Sequence, residues 1–122
     1  MEIKTLLLAL LFMASIAYAI GYFPGHPHLL SVGSAQITSP KDGVYIDGEA
    51  RNMLAYDFHP STRGNHLVIY VDDQEPVIVR EWRGSYRLPL LGMGKHRICV
   101  KEANSSNVLT GLQKCLTVTS TK

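Results

Sequence analysis

The strongest constraint on the fold is a series of short β-type runs separated by turn-forming residues. From residue 35 onward, apolar and polar residues alternate over short stretches, and clusters of Gly, Pro, Asn, Asp and Ser interrupt them about every ten residues. Residues 39–43 (Ser-Pro-Lys-Asp-Gly) form one such cluster. No stretch from residue 20 onward has the 3.6-residue period of an amphipathic helix. The sequence therefore predicts an all-β domain.

The alternation also predicts the architecture and the core. A short extended piece at 44–46 accompanies about seven strands, at 35–39, 50–58, 66–72, 76–82, 85–88, 95–101 and 111–119. Short strands at this spacing are typical of an antiparallel β-sandwich with two sheets. The side chains expected to face the core share the apolar phase of their strands: Leu54, Tyr56, Leu67, Ile69, Val71, Ile98, Val100, Leu116 and Val118.

Residues 1–19 have the composition of a secretory signal peptide. A lysine precedes an apolar run, and Ala17 and Ala19 are the small residues that a signal peptidase requires before the cut. The run is shorter than the ~20 apolar residues of a transmembrane helix, so we expect cleavage and no stable membrane anchor. The sequence predicts an extracytoplasmic protein, periplasmic or secreted, with a flexible leader at residues 20–34 and the sandwich domain at residues 35–122.

An oxidising compartment favours a disulfide between the two cysteines, Cys99 and Cys115. Both lie on the polar phase of their strands, so a final hairpin would bring them face to face on its outer side. We expect their Cα atoms to lie about 5.5–6 Å apart, and the bond to contribute about 3 kcal/mol. The alternative, a pair of thiolate zinc ligands, has only His96 nearby.

Three segments carry a resemblance to a known class of domains. Residues 37–43 (Ile-Thr-Ser-Pro-Lys-Asp-Gly) look like an opening strand and turn, and residues 64–73 (Gly-Asn-His-Leu-Val-Ile-Tyr-Val-Asp-Asp) like a central strand entering a tight turn. Residues 91–100 (Leu-Gly-Met-Gly-Lys-His-Arg-Ile-Cys-Val) look like a turn followed by a strand. Over about residues 35–120 the chain resembles small extracytoplasmic immunoglobulin-like or fibronectin-III-like domains of bacteria. The resemblance implies an immunoglobulin-like β-sandwich that binds or spaces other molecules rather than catalysing a reaction.

The candidate contact surface surrounds the single tryptophan and comprises Arg80, Trp82, Arg83 and Tyr86. If Val77 and Val79 face the core, Arg80 and Trp82 share the outer face. Trp, Tyr and Arg contribute strongly to binding energy, so this surface is predicted to hold a protein or carbohydrate partner. In the alternative interpretation, Ile78 and Trp82 point inward and the arginines are only solvated.

The histidines support a second hypothesis, in which the protein is a periplasmic carrier of copper or zinc. Its ligands would be His26 and His28 in the leader together with His59 and His66, which flank one loop. In the alternative interpretation, His26 and His28 belong to a solvated tail. His66 and His96, each at the start of a strand, would then hydrogen-bond a neighbouring loop carbonyl.

Other classes of function lack support in the sequence. The formal charge is only +2, from 12 Lys and Arg against 10 Asp and Glu, which does not favour nucleic acid as a partner. No motif of a hydrolase, metalloprotease, nucleotide-binding loop or dinucleotide-binding site occurs. Asp72 and Asp73 are expected to cap a turn rather than bind calcium, and Asn104 begins a glycosylation sequon. The sequence therefore predicts a non-enzymatic binding module that needs no cofactor.

Overall fold

Eight β-strands make up the secondary structure of residues 31–121, the part of the chain that the computed structural model describes. The strands are β1 (Ser34–Ser39), β2 (Tyr45–Ile46), β3 (Met53–His59), β4 (His66–Val71), β5 (Val77–Val79), β6 (Arg83–Arg87), β7 (Gly94–Ala103) and β8 (Leu109–Ser120). Within these residues no helix is long and apolar enough to cross a membrane. The predicted signal peptide and most of the predicted leader lie outside the described residues.

The strands form two sheets. A three-stranded sheet has the order β1-β3-β6, and a five-stranded sheet has the order β2-β8-β7-β4-β5. Neighbouring strands pair antiparallel except β2 and β8, which run parallel. Each sheet turns one side of its alternating side chains toward the other sheet, because successive residues of a strand point to opposite faces. The predicted all-β sandwich is confirmed.

One cluster of apolar side chains fills the space between the sheets. Every residue predicted for the core belongs to it, together with Phe58, Leu88 and Leu91. Val79, Trp82 and Tyr86 are partly buried and pack against the same cluster. The domain is therefore held together by packing of the inward-facing side chains of nearly all its strands.

The final hairpin, β7 and β8, carries the predicted disulfide. Cys99 pairs directly with Cys115 in the strand register, and their sulfur atoms are bonded. The Cα atoms are 4.1 Å apart, less than the expected 5.5–6 Å. This short distance is typical of pairs in an antiparallel ladder that exchange no backbone hydrogen bonds with each other. The bond links adjacent strands of one sheet on its outer side.

The chain passes from one sheet to the other between β5 and β6. A single strand over residues 76–82 was expected, but β5 ends at Val79 in the five-stranded sheet and β6 begins at Arg83 in the three-stranded sheet. At the end of the passage, the Phe58 amide donates to the Trp82 carbonyl at 2.8 Å. The alternation of the sequence is interrupted here because the chain changes sheets.

The first strand begins slightly earlier than the sequence indicates. β1 starts at Ser34, within the segment expected to be part of the leader. Ser31 is already hydrogen-bonded, since its carbonyl accepts from the Thr62 amide at 3.1 Å. Residues 31–34 therefore contact the loop between β3 and β4.

Candidate functional site

The Arg80–Arg83 corner, residues 80–83, lies where the chain changes sheets. Arg80 is exposed and its Nη1 donates to Oδ1 of Asn65 at 3.3 Å. Arg83 is exposed too, and its Nε donates to Oδ1 of Asp57 at 2.9 Å. The corner thus presents two guanidinium groups that are tethered at one nitrogen and open to solvent elsewhere.

The aromatic residues of the predicted surface do not share this exposure. Trp82 and Tyr86 are partly buried and pack against the core. The expectation that Arg80 and Trp82 lie on one outer face is wrong, because the passage between sheets interrupts the alternation. The alternative interpretation is correct for Trp82 but not for Ile78, whose side chain is 52% exposed.

The backbone of Gly64 lies close to the Trp82 side chain. A Cβ atom at Gly64 would lie 2.9 Å from Cη2 of Trp82 and would collide with the carboxylate of Glu102. Only a residue without a side chain fits this position without displacing its neighbours. The indole is therefore held from the side of the β3–β4 loop as well as by the core.

Glu102 is a fully buried carboxylate that was not among the predicted site residues. Its Oε1 accepts from Ser61 Oγ at 2.5 Å and from Thr110 Oγ1 at 2.6 Å, and its Oε2 accepts from the Ser61 amide at 2.9 Å. These bonds tie the β3–β4 loop to β7 and β8 and compensate for burial of the charge. The signal was present in the sequence, since Glu102 continues the inward phase of Ile98 and Val100.

Two of the histidines proposed as metal ligands, His59 and His66, lie in the described residues and have separate neighbours there. His59 extends from the three-stranded sheet, with its Nε2 4.0 Å from Oδ1 of Asp57. His66 is buried in the five-stranded sheet and its Nδ1 donates to Oδ1 of Asn65 at 2.9 Å. The expected loop-carbonyl partner of His66 is therefore replaced by a side-chain amide. Its Nε2 is buried and has no hydrogen-bond partner among the described residues.

No group of three His, Cys, Asp or Glu side chains suited to a metal ion occurs within residues 31–121. His26 and His28 lie outside the described residues, so their predicted role as ligands remains a prediction. The two cysteines are joined to each other. The described part of the chain therefore gives the copper or zinc hypothesis no assembled ligand set.

His96 joins two loops. Its Nδ1 is 2.6 Å from Oδ2 of Asp72, and its Nε2 faces the carbonyl of Gly92, which confirms the predicted bond to a loop carbonyl. The hydrogen bond to Asp72, supported by the one to Gly92, raises the pKa of His96. Both partners are acceptors, so the doubly protonated ring is the form that satisfies both.

Asp72 lies in the turn after β4, but its carboxylate bonds to β7 and does not cap the turn itself as predicted. Its Oδ1 accepts from the Arg97 amide at 2.8 Å, and its own amide donates to the Arg97 carbonyl at 2.8 Å. It adopts a left-handed backbone with φ of 50°, a conformation that Asp tolerates better than most residues. Both carboxylate oxygens of Asp72 are therefore engaged.

A shallow depression of about 320 Å³ lies on the outer face of the five-stranded sheet. We call it the Arg97 depression; its lining residues are Tyr70, Asp72, Asp73, Arg97, Cys99 and Lys101. The Nζ atom of Lys101 lies 4.8 Å from the centre of the Tyr70 ring, within the range of a cation–π contact. The alternation of the sequence already places Arg97 and Lys101 on the outward phase of their strand, but it contains no signal for a site there.

Comparison with solved structures supports the same fold. The chain is similar to the fibronectin(III)-like modules of Clostridium thermocellum CbhA, with a TM-score of 0.58 and 18% identity over 71% of this chain and 96% of that chain. It matches no protein-family model and no curated protein. The likeness confirms the expected immunoglobulin-like, fibronectin-III-like sandwich.

Proposed function

We propose that the chain is a non-catalytic binding module that works outside the cytoplasm and holds a protein or carbohydrate partner. The proposal rests on one main observation, a fibronectin(III)-like fold that has exposed arginines at the Arg80–Arg83 corner. Three reactive side chains of the described residues have structural partners: His96 bonds to Asp72 and Gly92, and the two cysteines bond to each other. This arrangement supports a role in binding more than one in catalysis.

The proposed contact is made by the exposed guanidinium groups of Arg80 and Arg83. Each uses one nitrogen to bond a neighbouring side chain, which restricts the side chain and leaves its other N–H donors for a partner. Trp82 supports the corner from behind, and Tyr86 follows it on β6. Pre-oriented arginines beside an aromatic side chain resemble the strongest contributors to known interfaces.

The test compares partner binding by the intact protein and two double variants. We expect wild-type protein to retain a defined partner from a panel of extracellular proteins and glycans. Arg80→Gln/Arg83→Gln should weaken that binding at least tenfold, whereas the charge-matched control Lys41→Gln/Arg51→Gln should preserve it. Both control side chains are exposed and distant from the corner in the sequence. Equal loss in both variants, or no partner for wild type, would refute the assignment.

The proposed location is supported by the disulfide, because such bonds persist mainly in oxidising compartments. It is tested by the N-terminal sequence and thiol content of protein recovered from its native host. We expect a chain that begins at Ile20 and contains no free thiol. A chain retaining residues 1–19 in the cytoplasm, with both thiols reduced, would contradict this location.

A further inference from the structure

The outer face of β7 carries a row of cations. Lys95, Arg97 and Lys101 alternate with inward residues and therefore point away from the core. The ion pairs of residues 31–121 involve His59, Arg83 and His96, so none of these three cations is paired with a carboxylate there. The three cations therefore outnumber the one neighbouring carboxylate that has no ion pair within these residues, that of Asp73.

Asp72 lies next to this row but does not neutralise it. One carboxylate oxygen of Asp72 accepts from the Arg97 main-chain amide, and the other bonds His96. Within residues 31–121, neither the guanidinium of Arg97 nor the ammonium of Lys101 forms a salt bridge with Asp72, and Lys101 instead contacts the Tyr70 ring. The charges of Arg97 and Lys101 therefore remain available to an anion from outside.

The Arg97 depression lies between these two cations. Arg97 and Lys101 are four positions apart on an extended strand, which places their Cα atoms ~13 Å apart. The disulfide-bonded Cys99 lies between them, and Thr117 and Gln113 of β8 pair with Arg97 and Lys101 in the register. The site is an elongated surface with a cation toward each end and polar groups along one side.

We infer that the Arg97 depression binds an acidic polysaccharide, a sugar chain bearing carboxylate or sulfate groups. Arg97 and Lys101 would hold its anionic groups by charge-assisted hydrogen bonds. Thr117, Gln113 and Asp73 offer hydrogen-bonding groups suited to sugar hydroxyls. This site is separate from the Arg80–Arg83 corner and adds a second binding surface to the proposed module.

The composition of the face favours a sugar over a protein. Among residues 31–121, the large exposed apolar side chains of this sheet lie toward its margins: Tyr45 on β2, Ile78 on β5 and Leu109 at the start of β8. Protein interfaces usually have an apolar centre with a polar rim. The centre here contains Arg97, Lys101 and the Tyr70 ring together with Asp72 and Asp73. Because Asp72 is paired with His96, Asp73 alone opposes the row of cations, and the remaining positive charge indicates an acidic glycan.

The test is a titration of the full chain with polygalacturonate, which carries carboxylates, and with dextran sulfate. We expect saturable binding of at least one of them, weakening with added salt, and no binding of neutral dextran. Binding of one polymer but not the other identifies the anionic group. Failure of wild type to bind either polymer would overturn the proposal.

Variants locate the binding. Arg97→Gln/Lys101→Gln should reduce affinity at least tenfold, and each single variant should reduce it by a smaller factor. Lys41→Gln/Arg51→Gln makes the same change in net charge and should retain affinity within twofold. Equal losses of affinity in both double variants would overturn the site. Equal affinity of the wild type for single-stranded DNA and for the polysaccharides would also overturn it, because such binding would indicate a general attraction to polyanions.

The Arg80→Gln/Arg83→Gln variant separates this inference from the proposed partner contact. It should bind the acidic polysaccharide normally while losing the partner of the corner. Loss of polysaccharide binding in this variant, with retention in Arg97→Gln/Lys101→Gln, would assign the sugar to the corner and refute the Arg97 site. Circular dichroism and melting curves identical to those of wild type should accompany each variant.

Discussion

Both ring nitrogens of His96 face acceptors, with Nδ1 2.6 Å from the Asp72 carboxylate and Nε2 directed at the Gly92 carbonyl. A neutral imidazole has one N–H and can donate to only one of them. The imidazolium donates to both, and this is the physical reason that the pKa of His96 is raised in the folded protein. The ring thereby links the turn after β4 to the loop before β7 in a manner that depends on its proton.

We expect this link to make stability fall as the pH rises. The folded pKa of His96 lies above its unfolded value of about 6.5, so its stabilising contribution is complete below that pH and is lost as the pH rises through the folded pKa. Urea unfolding between pH 5.5 and 8.5 measures this slope. His96→Gln should flatten it, whereas His59→Gln at an exposed position should not. An unchanged slope in His96→Gln would contradict the role of the ring.

Removal of the disulfide should weaken the fold. Cys99→Ser/Cys115→Ser is expected to lower the free energy of unfolding by about 2–4 kcal/mol, because the unfolded chain regains the freedom of the closed loop. Urea denaturation with and without reductant measures the change. Reductant should shift the wild-type midpoint toward that of the double variant and leave the variant unaffected. A shift of equal size in both proteins would argue against the disulfide as the cause.

Glu102 should be essential to the loop that it anchors. Glu102→Ala removes the acceptor of three hydrogen bonds and leaves the Ser61 and Thr110 donors inside the protein, so we expect a loss of about 2–4 kcal/mol. Glu102→Gln keeps one acceptor oxygen and should lose less. Chemical denaturation measures both variants, and hydrogen exchange at Ser61 reports whether the loop is released. Equal stability of Glu102→Ala and wild type would contradict the anchoring role.

Gly64 should tolerate no side chain. In Gly64→Ala the new methyl group would meet Glu102 and Trp82, and we expect a destabilisation of about 1–3 kcal/mol from the overpacking. Gly92→Ala is the matched control, because a Cβ atom there has no neighbouring atom within 4 Å. Thermal melting of both variants tests this difference. Similar melting temperatures for the two would indicate that the region behind Trp82 adapts without cost.

Trp82 distinguishes a structural from a surface role at the corner. Since its indole packs against the core, Trp82→Ala is expected to lower the free energy of unfolding by about 2–4 kcal/mol. Arg80→Gln, at an exposed neighbour, should change it by less than about 0.5 kcal/mol. Denaturant unfolding compares the two. A Trp82→Ala variant as stable as wild type would indicate that the indole belongs to the surface.

The sequence was sufficient for most strands and for the core, because both depend on local alternation. Ile98 and Val100, for example, are inward wherever β7 pairs, and Cys99 must then face outward beside Cys115. The passage at Arg80–Trp82 was not predictable in this way. It depends on which sheet each strand joins, and that is decided by pairing with distant strands such as β3 and β4.

The candidate sites were likewise predictable from the sequence only where their partners are close in the chain. The bond between His96 and a loop carbonyl was predictable because both groups are close in the sequence, whereas its bond to Asp72 joins separate turns. Of the partners of Glu102, Thr110 lies on the neighbouring strand β8, whereas Ser61 lies in the β3–β4 loop, which only the tertiary fold brings to β7. Likewise, the Arg97 depression requires Tyr70 of β4 beside β7, so its shape is absent from any single segment.

The cysteine bridge joins neighbours within a single layer and does not cross between layers. Cohesion of the two layers therefore depends on side-chain packing rather than on this covalent bond. A reducing agent would loosen the final hairpin, β7 and β8, while the apolar interior still opposed separation of the sheets. Redox sensitivity and interior packing are thus two independent means of tuning how firmly this domain resists unfolding.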